Sequence, residues 1–196
     1  MSSSLVILPE IREQEAKTRE AIKSFISAVT ANEQERLYDA LGKLEILGGL
    51  TRAFRRVALL TQVAPELQVA FLKLWMEAGD SIRSNVTDDI VLLNALRVLL
   101  PRYNGPSMRL YRGDSALNRR RRTYGVSWSS EAAVADHFAK GLWRTSRGGS
   151  VVLRAEATQE AIISAFHSAG PDRFAEAEFL VDRRLLKKVS VIRRYD

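Results

Sequence analysis

Three clusters in the second half of the chain combine side-chain types and spacings that suit chemistry. In Leu110-Tyr111-Arg112-Gly113 an arginine ends a β-like run, and the glycine after it permits a tight turn. A guanidinium in that place can hold a phosphate by two parallel hydrogen bonds, although a surface arginine after a strand is common. In Gly125-Val126-Ser127-Trp128-Ser129-Ser130-Glu131 a strand ends in hydroxyl groups and passes directly into a helix. Ser129 or Ser130 suits the N-cap of that helix, and period-two alternation puts Ser127 and Ser129 on one face. In Phe174-Ala175-Glu176-Ala177-Glu178-Phe179-Leu180-Val181 two carboxylates two residues apart open a strand and point to one side. On a buried face such like charges repel. In a cleft they can divide acid–base and electrostatic work, as paired carboxylates do in glycosyl transfer, and on a solvent-facing edge they do neither.

The chain that positions these clusters has 196 residues, of which 46% are hydrophobic and 27% charged. That is material for one compact domain or two small lobes sharing a core. The absence of cysteine excludes a disulfide scaffold, a thiolate zinc site, an iron–sulfur cluster and a cysteine nucleophile. Only two histidines, His137 and His167, are present, which argues against an all-histidine metal site, and no metal is expected. No apolar run approaches the length of a membrane span, so no membrane association is expected. Residues 1–10 lack a basic stretch ahead of their short apolar run and do not read as a signal peptide. A cytoplasmic protein, acting in its own cell or in a host cell, is the expectation. The net charge of +7 is uneven: residues 1–100 carry 12 Lys/Arg against 13 Asp/Glu, and residues 101–196 carry 18 against 10. Arginine dominates the basic excess, which fits an anionic ligand and equally a solvated basic face.

The spacing of apolar residues predicts helices through the first hundred positions. One runs from Pro9 to about Val29 with Ile11, Ile22, Phe25, Ile26 and Val29 inward. Asn32 suits the N-cap of a second, with Leu37, Leu41, Leu44 and Leu47 inward and Gly48-Gly49 ending it. A third spans Thr51 to about Gln62. Pro65 opens a fourth, carrying Leu67, Phe71, Leu74 and Trp75 and stopped by Gly79, and Thr87 or Asp88 caps a fifth that ends before Pro101. After the Asn104-Gly105-Pro106 turn signal the texture becomes β-like. Candidate strands are Met108–Tyr111, Tyr124–Trp128, Ser150–Ala155, Ala161–Phe166, Glu178–Val181 and Val189–Ile192. One helix interrupts them, Glu131–Lys140, with Ala133, Val134, His137 and Phe138 as its expected inner face. Helices first and strands afterwards argue an α+β fold, with an α-helical region over residues 1–103 and a β-rich region over 104–196 forming one cooperative unit.

Taken in order, Tyr111-Arg112, Ser127-Trp128-Ser129 and Glu176-Ala177-Glu178 resemble the motif set of the arginine–serine–glutamate class of mono-ADP-ribosyltransferases, of bacterial or phage type. The stretch Ala135–Ala139 also looks like the class's Ala-x-x-Phe-Ala helix, and the resemblance covers about residues 105–196. Trp128 departs from the usual small threonine between the serines, which would alter the cleft or mean a shifted register. The catalytic region is also short, so the N-terminal helices would complete the fold. The resemblance implies a helical region packed on a mostly antiparallel β-sandwich of ADP-ribosyltransferase type.

The resemblance further implies NAD+ as co-substrate and a target protein with an acceptor arginine as partner. Glu178 would stabilise the oxocarbenium-like ribose and hold a ribose hydroxyl, and Glu176 would deprotonate the acceptor. Arg112 would bind the NAD+ phosphates, and Ser127 would hold Glu178 and the ribose. Tyr111, Gly113, Ser129 and Phe138 would complete the NAD+ site with Arg144 and Arg147 of the 141–149 loop, and the loop over 167–174 would recognise the acceptor. The alternative is an NAD+ glycohydrolase, in which water replaces the acceptor in the same cleft. A non-catalytic binding module using the basic half is the reading from another class. Arg119-Arg120-Arg121-Arg122 suits contact with nucleic acid or an acidic partner, but a solvated loop between strands is the plainer reading, and the sparse flanking aromatics argue against a stacking surface.

Overall fold

The computed structural model describes residues 7–141, 146–167 and 177–196. The chain divides into two compact units, one ending at Pro101 and one running from Arg102 to Asp196, two residues before the expected boundary.

The first unit is helical: α1 (Ile7–Ala31), α2 (Gln34–Leu47), α3 (Leu50–Val57), α4 (Pro65–Asn85) and α5 (Asp89–Leu99). Its core is an aromatic column. Phe25 of α1 stacks on Phe54 of α3 at 6.0 Å between ring centres, and Phe54 meets Phe71 of α4 at 6.3 Å. Of the predicted inward leucines of α2, Leu37, Leu41 and Leu44 are buried and Leu47 is half-buried, while Ile11 of α1 is exposed. Asn32 takes a positive φ of 58° after α1 instead of capping α2, and the N-cap position passes to Glu33, which makes no side-chain capping bond. Asp88 caps α5, its carboxylate accepting from the Ile90 and Val91 amides. Thr87 instead joins Thr51 by a backbone-to-hydroxyl bond of 3.1 Å. The third helix ends at Val57, short of Gln62. The fourth continues past Gly79 to Asn85. Gly79 is a packing position, since a β-carbon there would stand 3.0 Å from the Trp75 indole.

The second unit runs β1 (Met108–Ser115), α6 (Ala116–Arg121), β2 (Ser127–Ser129), α7 (Ala132–Lys140), β3 (Ser150–Ala157), β4 (Ile162–His167), β5 (Ala177–Val181), a 3-10 turn (Arg183–Leu185) and β6 (Lys187–Tyr195). The strands join in one antiparallel sheet of order β4-β5-β2-β1-β3-β6, so the expected sandwich gives way to a single hydrogen-bonded sheet among the described residues. One face carries the core of Leu110, Tyr124, Trp128, Val151, Leu153, Phe179 and Val181. On the other, Ala135 and Ala139 of α7 pack with Val152, Tyr111 and Tyr195. The arginine run expected as a loop forms α6, because Ser115 caps it by accepting from the Asn118 amide at 3.0 Å.

Helix α7 lies so close to β1 that only glycine fits beneath it: a β-carbon on Gly113 would overlap the Ala135 carbonyl and the Ala139 amide. This contact selects the small residues of α7 as its inner face, so Ala133, His137 and Phe138 are exposed where the sequence pattern predicted burial. Asp136 fixes the helix from its side, paired with Lys140, with Arg193 at 2.8 Å and with the Tyr195 hydroxyl. Gly48, at the C-cap of α2 with φ 71°, has nothing within 4 Å of an added β-carbon. Gly48→Ala should therefore cost about 1 kcal/mol, the conformational term alone. Gly113→Ala should cost about 2–3 kcal/mol, because helix backbone blocks the methyl group. Urea denaturation of both variants tests this, and equal losses would contradict the close crossing.

Candidate active site

The pairing of strands brings the three motif segments side by side. Tyr111 of β1 stands opposite Ser129 of β2, and Ser129 stands opposite Glu178 of β5. Directly opposed residues in an antiparallel sheet share a face and lie about 5 Å apart. The row continues to Phe166 of β4 beyond Glu178 and to Arg154 of β3 beyond Tyr111. Ser127, two residues from Ser129, is on the same face. Thus Tyr111, Ser127, Ser129 and Glu178 occupy one patch although up to 67 positions separate them in the chain. Ser129 is buried, while Tyr111, Ser127 and Glu178 are half-buried. Ser129 Oγ accepts from the Glu131 amide at 3.0 Å, and the N-cap position of α7 is Glu131 rather than either serine.

Trp128 leaves this patch entirely. It is buried on the opposite face, donates Nε1–H to the Gly125 carbonyl at 3.1 Å and meets Tyr124 edge to face. The serines keep a common face, and the bulky residue between them belongs to the core.

Arg112 does not share the face of the row. Its Nε donates to Asp114 at 2.7 Å and its Nη1 to the Ser127 carbonyl at 2.5 Å. Its side chain is 12% exposed and that of Asp114 is fully buried. A β-carbon on Gly125 would overlap the guanidinium, so glycine there admits the arginine. Asp114 also accepts from the Asn118 amide side chain at 2.7 Å and from the Ser115 and Gly125 backbone amides. Burial alone would raise the Asp114 pKa. The Arg112 charge and the converging hydrogen bonds outweigh burial and hold it below the ordinary aspartate value.

Other predicted site residues lie elsewhere. Gly113 is covered by α7, and Phe138 is exposed on the outer side of that helix. Arg147 shares a cleft with Arg120 and Arg121 of α6. Glu176 and Arg144 lie outside the described residues, as do 142–145 and 168–176 of the two predicted loops. Sequence reasoning missed Arg154, the exposed cation at the β3 end of the row. Its signal was available in the alternation of β3, where Val152 and Arg154 share one face and Val151, Leu153 and Ala155 the other. The next row pairs Arg109 with Glu156 at 3.1 Å, and the carboxylate raises the Arg109 pKa. Among the described residues no three His, Asp or Glu side chains are grouped to hold a metal ion, and no helix is long and apolar enough to cross a membrane.

Comparisons of the chain with protein-family models, with curated proteins and with solved structures gave no match.

The Asp114 arrangement generates a pH dependence of defined sign. Its folded-state pKa is depressed, so its contribution to stability is complete above the ordinary aspartate value of 3.8 and is lost as pH falls below that value through the folded one. Asp114→Asn should flatten the acid limb of the stability curve in this range. Asp114→Ala, which leaves a buried guanidinium unpaired, should cost about 3–5 kcal/mol near neutral pH. Denaturation at a series of pH values checks both, and an unchanged acid limb in Asp114→Asn would contradict the assignment.

Proposed function

We propose that this chain transfers ADP-ribose from NAD+ to an arginine side chain of a target protein, releasing nicotinamide. The observation that carries this reading is the row Tyr111–Ser129–Glu178, in which one registered patch gathers members of all three motif segments. Nothing in the helix-and-strand pattern alone requires that coincidence.

In this reading Glu178 lies against the ribose of the nicotinamide end. The bond from nicotinamide to ribose C1′ breaks, its electron pair leaves with nicotinamide, and the carboxylate stabilises the positive charge left on the ribose. A guanidinium nitrogen of the acceptor forms the new bond to C1′, and its proton passes to Glu176. Ser127 and Ser129 hold the ribose edge of the patch, and Tyr111 gives it a flat apolar floor. Arg154 meets the phosphates, because it is exposed on the Glu178 face, two strands beyond Ser129. Arg112 acts as a positioning residue that fixes β2 against β1 through the Ser127 carbonyl. The cytoplasm supplies both NAD+ and target arginines.

Nicotinamide release by the purified protein, with and without agmatine as a free guanidinium acceptor, tests the reading. Release should rise with agmatine, and Glu178→Gln should lower it by roughly 100- to 1000-fold, the usual loss for a group aimed at developing charge. Arg154→Ala should raise KM for NAD+ about tenfold or more with a smaller change in kcat, as loss of a charge-assisted bond to substrate does. Release indifferent to agmatine would point to water as the acceptor, and no release would overturn the enzymatic reading.

A further inference from the structure

The molecule has a second basic feature, away from the Glu178 row. Helix α6 and the turn before β3 enclose a cleft of about 730 Å³ lined by Leu117, Arg120, Arg121, Arg147 and Gly148. The two walls are tied together: the Ala116 amide donates to the Gly149 carbonyl at 3.0 Å, and a β-carbon on Gly148 would lie 3.4 Å from Arg120 Nη2. Gly148 and Gly149 both have positive φ, of 85° and 75°, which lets the chain turn tightly and bring Arg147 to the cleft. Three arginines thus line one cleft from segments 26 positions apart. All three arginines are exposed, and no carboxylate among the described residues is paired with any of them. Three cations on one cleft with no acidic partner among the described residues make a positive surface that attracts an anion.

We infer that this cleft binds the phosphate backbone of a nucleic acid, without reading its sequence. Exposed arginines with no buried donor among them grip a single small anion weakly. A polyanion gains at each contact, because every neutralised phosphate releases condensed counterions. Among the described residues the lining holds no aromatic side chain to stack on a base, and its arginines, exposed and with no paired carboxylate to fix their orientation, suit phosphate contact rather than the reading of a base edge. A protein partner is less well matched, since among the described residues Leu117 is the one apolar side chain in the lining and a protein interface needs a buried apolar or aromatic anchor. This inference does not depend on NAD+ chemistry at the Glu178 row.

Fluorescence anisotropy of the full chain with labelled 20-nucleotide single strands and 20-base-pair duplexes, over a salt series, tests it. Arg120→Ala/Arg121→Ala/Arg147→Ala should weaken binding by tenfold or more, and log K should fall with log salt less steeply by about 2 units, at roughly 0.7–0.9 per contact. A control with the same loss of charge at exposed helical positions, Arg12→Ala/Arg56→Ala/Lys73→Ala, should change affinity by less than about threefold. Circular dichroism confirms that both variants fold. Should the cleft variant unfold, the wild-type salt slope and competition by poly-glutamate decide: a slope near zero overturns the inference, as does poly-glutamate displacing the oligonucleotide at equal charge concentration. Equal affinity of the cleft and control variants also overturns it.

Discussion

The buried carboxylate of Asp114 is the point on which the second unit depends. It accepts from the Arg112 guanidinium, the Asn118 side chain and the amides of Ser115 and Gly125, and so joins the end of β1, the start of α6 and the approach to β2. A fully buried carboxylate is tolerable only when its charge is matched and its lone pairs are used. Both conditions are met here. The same guanidinium reaches on to the Ser127 carbonyl, so the arrangement that neutralises Asp114 also sets where the short strand β2 begins. Two glycines are obligatory for steric reasons: Gly125 gives space to Arg112, and Gly113 lets α7 close over the opposite face.

Placement of β2 matters because it is only three residues long and is held between β1 and β5. One residue of slip would exchange Ser127 and Ser129 for Trp128 on the patch and leave Glu178 without its hydroxyl neighbours. The buried indole opposes that slip. Its bond to the Gly125 carbonyl and its contact with Tyr124 are available only when Trp128 faces the core. A residue that departs from the motif thereby stabilises the register on which the motif geometry rests.

Much of the element order was legible in the sequence because helical and two-residue periodicities are local. The three motif segments were visible for the same reason. Their partnership was not, because the register of Tyr111 with Ser129 and of Ser129 with Glu178 is a long-range property. Arg112 stood out in the sequence as a candidate site arginine but not as the partner of a buried acid, since that acid is recognisable as its partner only once both side chains are placed. Helix α7 misled by its composition: Phe138 looked like core, yet the close approach to Gly113 admits only Ala135 and Ala139. Gly79 read as a stop because its packing partner, Trp75, lies one helical turn back, where a glycine makes room for the indole. Arg154 was passed over inside an apolar strand, although alternation placed it beside Tyr111.

In the proposed reading the row from Phe166 to Arg154 receives the nicotinamide-ribose end and phosphates of NAD+. Titrating NAD+ into isotopically labelled Glu178→Gln, which should bind the dinucleotide without consuming it, and following backbone amide resonances measures this most directly. Shifts should concentrate at Tyr111, Ser127, Ser129, Arg154 and Phe166. Shifts confined to Arg120, Arg121 and Arg147, or none at millimolar NAD+, would contradict it.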